Sequence, residues 1–195
     1  RHEAKRTPNT RLMRYDEQMR QEALLHQELN SRLETALSNG ELTPWFQAKV
    51  DMRTGSIIGA EALVRWNHPT RGLLMPGSFI PLFERNGLVT SIDLHVFEEV
   101  CKALRSWQLR NLPTHIISCN FSQLHFDRKD FPQQLAEIAA RYDVPHALLE
   151  VEITESAIMK NPEAAWMQII QLKQMGFKTA IDDFGTGYSS LGLVQ

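Results

Sequence analysis

Apolar and polar positions change their spacing several times along the chain. The opening stretch, RHEAKRTPNTRLMRYDEQ, is polar and basic and has no core pattern. From about Asp16 to Ser38 apolar residues recur at helical spacing. Met19, Ala23, Leu29, Leu33, Ala36 and Leu37 form an incomplete stripe among charges, and Asn39-Gly40 supplies a stop. Such a helix either packs on the following domain as an amphipathic lead-in or serves as a signalling linker from an upstream one. After Gly40 the spacing becomes that of strands. WFQAKV and SIIGAEALV are joined by DMRTG, a connection short enough for an antiparallel hairpin. A Pro/Gly-rich loop follows, NHPTRGLLMPGSFIP. A long helix is then expected from about Thr90 to Trp107, with Leu94, Phe97, Cys101 and Leu104 on one stripe and Val96, Val100 and Trp107 beside it.

The rest of the chain alternates. THIISCNF reads as a strand, Asp130 to Tyr142 as a helix and ALLEVEIT as a strand. A helix opens at Asn161-Pro162 and closes at Gly176, with a capping side chain, a first-turn proline and a terminal glycine in their favoured places. FKTAIDDF is the last strand. Strand and helix in alternation imply parallel βα units, in an open sheet or a barrel. No glycine-rich phosphate loop follows the first strand, which weakens a dinucleotide-binding fold. The division expected is a polar segment and linker helix over residues 1–36, then an α/β domain over 37–195.

Composition narrows the function classes. The 195 residues suffice for one domain with a core, and 43% hydrophobic and 23% charged residues are ordinary for a soluble globular protein. A net charge of −2 argues against a nucleic-acid polymer as partner. Cys101 and Cys119 lie in apolar segments, which suggests a reducing compartment without a disulfide framework. Pro76 and Pro81 interrupt the longest apolar stretches, so no bilayer-spanning segment is expected, and no signal peptide is seen. A cytoplasmic domain is expected, although a longer parent could be membrane-anchored.

The candidate chemistry lies at the strand ends. Glu61 closes IIGA, Asn120 closes HIISC, Glu152 sits in LLEVEIT, and Asp182-Asp183 close KTAI. In a βα barrel these ends share one mouth, where catalytic groups gather. Two adjacent aspartates repel each other and need a neutralising partner. The donors are all hard oxygens, which suits Mg²⁺ or Mn²⁺ and not zinc. Taken singly, each is a common solvated, salt-bridged or turn residue; their recurrence at four successive strand exits is what points to metal.

Strand alternation turns Glu61, Leu63 and Arg65 to one face and Ala62, Val64 and Trp66 to the other. The planar fork of Arg65 suits a phosphate, or it pairs with a nearby acid. The hairpin brings Gln47 back opposite roughly Glu61, adding a neutral amide. Past Asp183, Gly185, Gly187, Tyr188, Ser189 and Ser190 form either a mobile gate or a serine-capped helix start. Glu155, just past its strand, could anchor that loop by accepting hydrogen bonds.

EALVRW, FIPLFERNGLV, SCNFS, EITES and DDFGTGYSSL, in this order, closely resemble the EAL-domain cyclic di-GMP phosphodiesterases of bacteria, from about Leu37 to the end of the chain. The resemblance implies a modified TIM (β/α) barrel with one antiparallel strand. It implies Glu61, Asn120, Glu152 and Asp182 as ligands of a first metal and Asp183 as ligand of a second, with Asp182 bridging. Glu155 matches the acid that holds the glycine loop, and Gln47, Leu63 and Arg65 match dinucleotide contacts. The implied reaction is hydrolysis of cyclic di-GMP to linear pGpG with two metal ions. A homodimer is a further implication, since members of the family often dimerise. AKRTPNTRLMRYD resembles the tail of a GGDEF diguanylate cyclase domain, a partner in cis.

Two departures stand out. Ala48 replaces the usual proline after Gln47. The chain also stops at Gln195, before the strands that carry a lysine near the metals and a further glutamate, so the barrel is expected to be incomplete and these residues alone inactive or poorly folded. Two other functions compete. One is a silent EAL domain acting as a cyclic di-GMP receptor; such domains usually lose metal ligands, and none is lost here. The other is a barrel glycosidase, which prefers aromatic platforms. Of the tryptophans, only Trp66 is expected near the mouth, pointing away from Glu61.

Overall fold

The computed structural model describes residues 17–182. Its first element is helix α1 (Glu17–Ser38), which stops at Gly40, where φ is +66°. Leu29, Leu33 and Ala36 are buried, and the preceding turns are largely exposed. The buried half is stapled to the hairpin that follows. Arg32 forms a fork with both carboxylate oxygens of Glu41, and Glu41 also accepts from the indole N–H of Trp66 at 3.1 Å. The packed lead-in is therefore the arrangement adopted by this half of the helix.

Strands β1 (Leu42–Val50) and β2 (Ile57–His68) form the expected antiparallel hairpin, with Gln47 directly opposite Glu61. The Pro/Gly-rich segment departs from expectation. It is not a loop throughout: β2 runs on to His68, a short strand β3 (Gly72–Leu74) folds back antiparallel on it, and helix α2 (Ile80–Asn86) follows a single 3-10 turn. The prolines start these turns rather than prevent them, because each sits in a first turn where no N–H donor is needed. The drive to fold is aromatic. Phe79 meets Trp66 edge-on at 5.5 Å, Phe83 packs beside both, and all three are fully buried.

Helix α3 (Val89–Leu109) buries Ile92, Val96, Phe97, Val100, Cys101 and Leu104. Strand β4 (Ile116–Asn120), helix α4 (Phe131–Arg141), strand β5 (Leu149–Thr154), helix α6 (Pro162–Gln174) and strand β6 (Lys178–Asp182) complete the alternation. A short helix α5 (Glu155–Lys160) between β5 and α6 had no sequence expectation; Thr154 caps it by accepting from the Ala157 N–H. Asn161 caps α6 in the same way, and Gly176 takes φ +95° after it, both as the sequence predicts.

The sheet order is β1-β2-β4-β5-β6, with β3 beside β2. From β2 to β6 along this path every pairing is parallel. The fold is thus α/β, an arc of a barrel with helices on its outer face. Along that path β1 is the one antiparallel strand, as expected, with the short β3 added antiparallel to the end of β2, and among the described residues β1 and β6 do not pair to close the barrel. Gly59 marks the tightest approach inside the sheet: a Cβ there would lie 2.8 Å from the Ile116 carbonyl oxygen. No helix among the described residues is long and apolar enough to cross a membrane.

Candidate functional site

Register alone sorts the inward side chains into layers. Gln47, Glu61, Ser118, Glu150 and Lys178 are successive partners across β1, β2, β4, β5 and β6. One step toward the strand ends lie Trp45 opposite Leu63, and Asn120 opposite Glu152 opposite Ala180. The outermost step pairs Thr154 with Asp182. Partnered residues in a sheet share a face, so five strands place the predicted site residues on one concave surface. The opposite face is apolar: Ala62, Trp66, Ile117, Cys119, Val151 and Ile153 lie buried under the helices.

Two predicted residues touch. Asn120 donates to Glu61 Oε1 at 2.6 Å across the β2–β4 pair. Glu152, 7% exposed, is engaged elsewhere: the Lys49 ammonium reaches it at 2.5 Å. Asp182 sits exposed at the end of β6. Glu155 is the first residue of α5 and is buried. Asp183 and the glycine loop after it lie outside the described residues. Within those residues no group of three or more His, Cys, Asp or Glu side chains closes on a common point.

Arg65 uses one arm of its fork locally and pairs with no acid among the described residues. Its Nη1 donates to the Val64 carbonyl at 2.9 Å, and its Cζ lies 5.8 Å from the centre of the Trp45 ring. Its Nε is buried without a partner, and no acid pairs with it among the described residues. The alternative of a salt-bridged Arg65 is therefore not adopted. Trp45 itself was missed. It shares the inward face with Gln47, is half exposed, and lies beside the mouth. The expectation that Trp66 is the tryptophan nearest the mouth is corrected accordingly, and the lack of an aromatic platform no longer counts against sugar chemistry. Trp66 does point away, fully buried.

Two more groups escaped sequence reasoning. Lys49 and Glu150 lie two residues from Gln47 and Glu152, so strand alternation carried into β1 and β5 would have placed them inward. Asp93 and His125 could not be found this way, because they come from a helix and a turn. Asp93 Oδ2 accepts from the Ser122 backbone N–H at 2.9 Å and lies 3.1 Å from His125 Nε2, clamping the chain just beyond Asn120. Burial pushes the Asp93 carboxyl above its usual value, and the contacts with His125 and Ser122 only partly offset it. Beside this clamp opens a cavity of about 410 Å³, bordered by Leu63, Glu84, Asn120, Gln123 and Thr154. The cysteines play no part: both are buried and free, and burial pushes the Cys101 thiol up to about 12 and that of Cys119 well above its ordinary value.

Hard oxygen donors, an open guanidinium and an adjoining cavity at the C-terminal ends of parallel strands agree with comparisons to known proteins. The sequence pattern of the EAL domain matches residues 30–195. The chain belongs to the EAL domain family. It is 38% identical over 159 residues to the bifunctional diguanylate cyclase/cyclic di-GMP phosphodiesterase MucR of Pseudomonas aeruginosa, covering 82% of this chain and 23% of that protein. It is 36% identical over 163 residues to the oxygen sensor protein DosP of Escherichia coli K12, covering 84% of this chain and 20% of DosP. Among solved structures, the MucR phosphodiesterase in complex with c-di-GMP superimposes with a TM-score of 0.78 at 37% identity, over 84% of this chain and 66% of that one. The EAL domain here thus spans about a fifth to a quarter of the length of these curated relatives.

Proposed function

We propose that this EAL domain hydrolyses cyclic di-GMP, opening one phosphodiester bond to give linear pGpG. The observation that carries the reading is the contact of Glu61 with Asn120 on neighbouring strands, with Glu152 paired to Asn120 in the same register. These donors, with Asp182 and Asp183, form an all-oxygen set that suits Mg²⁺ or Mn²⁺ and offers zinc no soft ligand. Glu61, Asn120, Glu152 and Asp182 would hold a first ion and Asp183 a second. Bound, such ions lower the pKa of a water and neutralise charge building on phosphoryl oxygens.

The remaining residues bind and orient. Arg65 offers its fork to a phosphate oxygen, with the Trp45 ring limiting its swing. Gln47 presents an amide from the opposite strand, and Leu63 an apolar contact at the cavity edge. Glu155 anchors the glycine loop. The domain proper runs from residue 37, with residues 1–36 as its lead-in from an upstream GGDEF domain, in a cytoplasmic setting and with a second copy of the domain as partner. A receptor that binds cyclic di-GMP without cleaving it is the second reading, favoured by the ammonium of Lys49 already resting on Glu152.

Metal removal separates the two. The intact protein is incubated with cyclic di-GMP and Mn²⁺ and the products are resolved by chromatography. A chelator should abolish pGpG formation and fresh Mn²⁺ restore it. Glu61→Ala should lower turnover by about a thousandfold, equivalent to about 4 kcal/mol of transition-state stabilisation, with its circular dichroism unchanged. Tight nucleotide binding with no turnover under any metal would favour the receptor.

A further inference from the structure

Beneath the mouth lies a polar network of which the proposed reaction uses only Glu152. The side chain of Lys49 crosses from β1 to β4 and β5. Its ammonium contacts Ser118 Oγ at 2.5 Å, Glu152 Oε1 at 2.5 Å and Glu150 Oε2 at 3.3 Å. Ser118, fully buried, donates in turn to Glu150 Oε2 at 2.9 Å. An ammonium has three donors, and each has an acceptor here. Two of those acceptors are carboxylates, the partners an ammonium needs when it is drawn into a sheet.

We propose that Lys49 is a resident counter-cation that competes with a divalent metal ion for Glu152, so that metal loading requires the Lys49–Glu152 contact to be broken or shared. The proposal rests on the reading of Glu152 as a metal ligand. Its physical basis is charge. Without a cation, Glu150 and Glu152 would stand side by side on the inner face of β5, with Glu61 in the same layer as Glu150. Lys49 supplies the neutralising charge that lets the metal-free sheet fold. That same charge repels an incoming divalent ion and occupies one of the oxygens the ion would use. Metal affinity is thereby set below what the acids alone would give. The domain becomes a sensor of available metal as well as a user of it.

Variants with opposite expected signs test this. Mn²⁺ binding is followed by isothermal titration calorimetry and by the Mn²⁺-induced rise in melting temperature, on the intact protein without nucleotide; the step scored is the one that Glu61→Ala removes. Lys49→Met should melt lower without metal yet bind Mn²⁺ on the order of tenfold more tightly, since one repelling charge a few ångströms away is gone. Lys49→Arg keeps the charge and should bind as the wild type does. Glu150→Gln leaves Glu152 as the one carboxylate on the ammonium and should bind Mn²⁺ several-fold more weakly; it keeps the proposal testable if Lys49→Met fails to fold. Equal or weaker affinity in Lys49→Met, or stronger affinity in Glu150→Gln, overturns the proposal while leaving the metal reading intact. Absence of any Glu61-dependent Mn²⁺ binding in wild type and Lys49→Met alike overturns both.

Discussion

On β5, Leu149, Val151 and Ile153 are fully buried under helices, while Glu150 and Glu152 on the other side of the same strand meet a lysine. On β2, Ala62 and Trp66 are buried outward, while Glu61 and Arg65 line the concavity. The two faces share every backbone hydrogen bond and differ only in side chain. Apolar contact on the outer face holds the strands at fixed stagger, and that stagger brings Glu61 to Asn120. The inner face gains little stability from its charges, because each must be desolvated before it can pair. Stability and chemistry are thus divided between alternate residues of the same strands.

This division can be broken from either side. The largest effect on folding should come from Trp66→Ala, which removes the ring that Phe79 and Phe83 pack against and the donor that Glu41 accepts. A loss of about 3–5 kcal/mol is expected in urea unfolding, with activity lost only as far as the fold is lost. A loss under 1 kcal/mol would mean that the outer face is not the source of stability.

An intermediate effect is expected on the inner face. Arg65→Lys keeps the charge but loses the fork and the flat contact with Trp45. KM for cyclic di-GMP should rise about tenfold, near 1.4 kcal/mol, with kcat little changed and melting unaltered. A fall in kcat at constant KM would move Arg65 from ground-state binding to transition-state stabilisation.

The smallest effect is a pH dependence at the α1 staple. The hydrogen bonds from Arg32 hold the Glu41 carboxyl below its usual value of 4.5; burial opposes them, and the Trp66 N–H adds to the lowering. The folded pKa lies below the unfolded one, so this contribution is present above pH 4.5 and is lost as pH falls through the lower folded value. Stability curves of the wild type and Glu41→Gln should therefore converge below about pH 4. Parallel curves down to pH 3 would show that the staple carries no linkage.

How much of this could be read beforehand depended on whether a signal was local. The hairpin, the α3 stripe, the Asn161 cap and the Gly176 stop rest on neighbouring residues, and each holds. Pro76 and Pro81 misled because the residue type suggested a loop, while the aromatic partners that fold the segment lie at positions 66, 79 and 83. The opposition of Gln47 and Glu61 followed from hairpin length. Lys49 and Glu150 obey the same alternation, but nothing local marks them, because they meet only across β2 and β4. The Asp93–His125 clamp joins a helix to a turn and has no periodic trace in the sequence.

The central claim is that the inward acids share a divalent ion. Its most direct test is the anomalous scattering of Mn²⁺ in crystals of the intact protein. The account predicts a peak bonded, at roughly 2.0–2.4 Å, to oxygens of Glu61, Asn120, Glu152 and Asp182. Strong Mn²⁺ density placed elsewhere, with these four side chains uncoordinated, would contradict it.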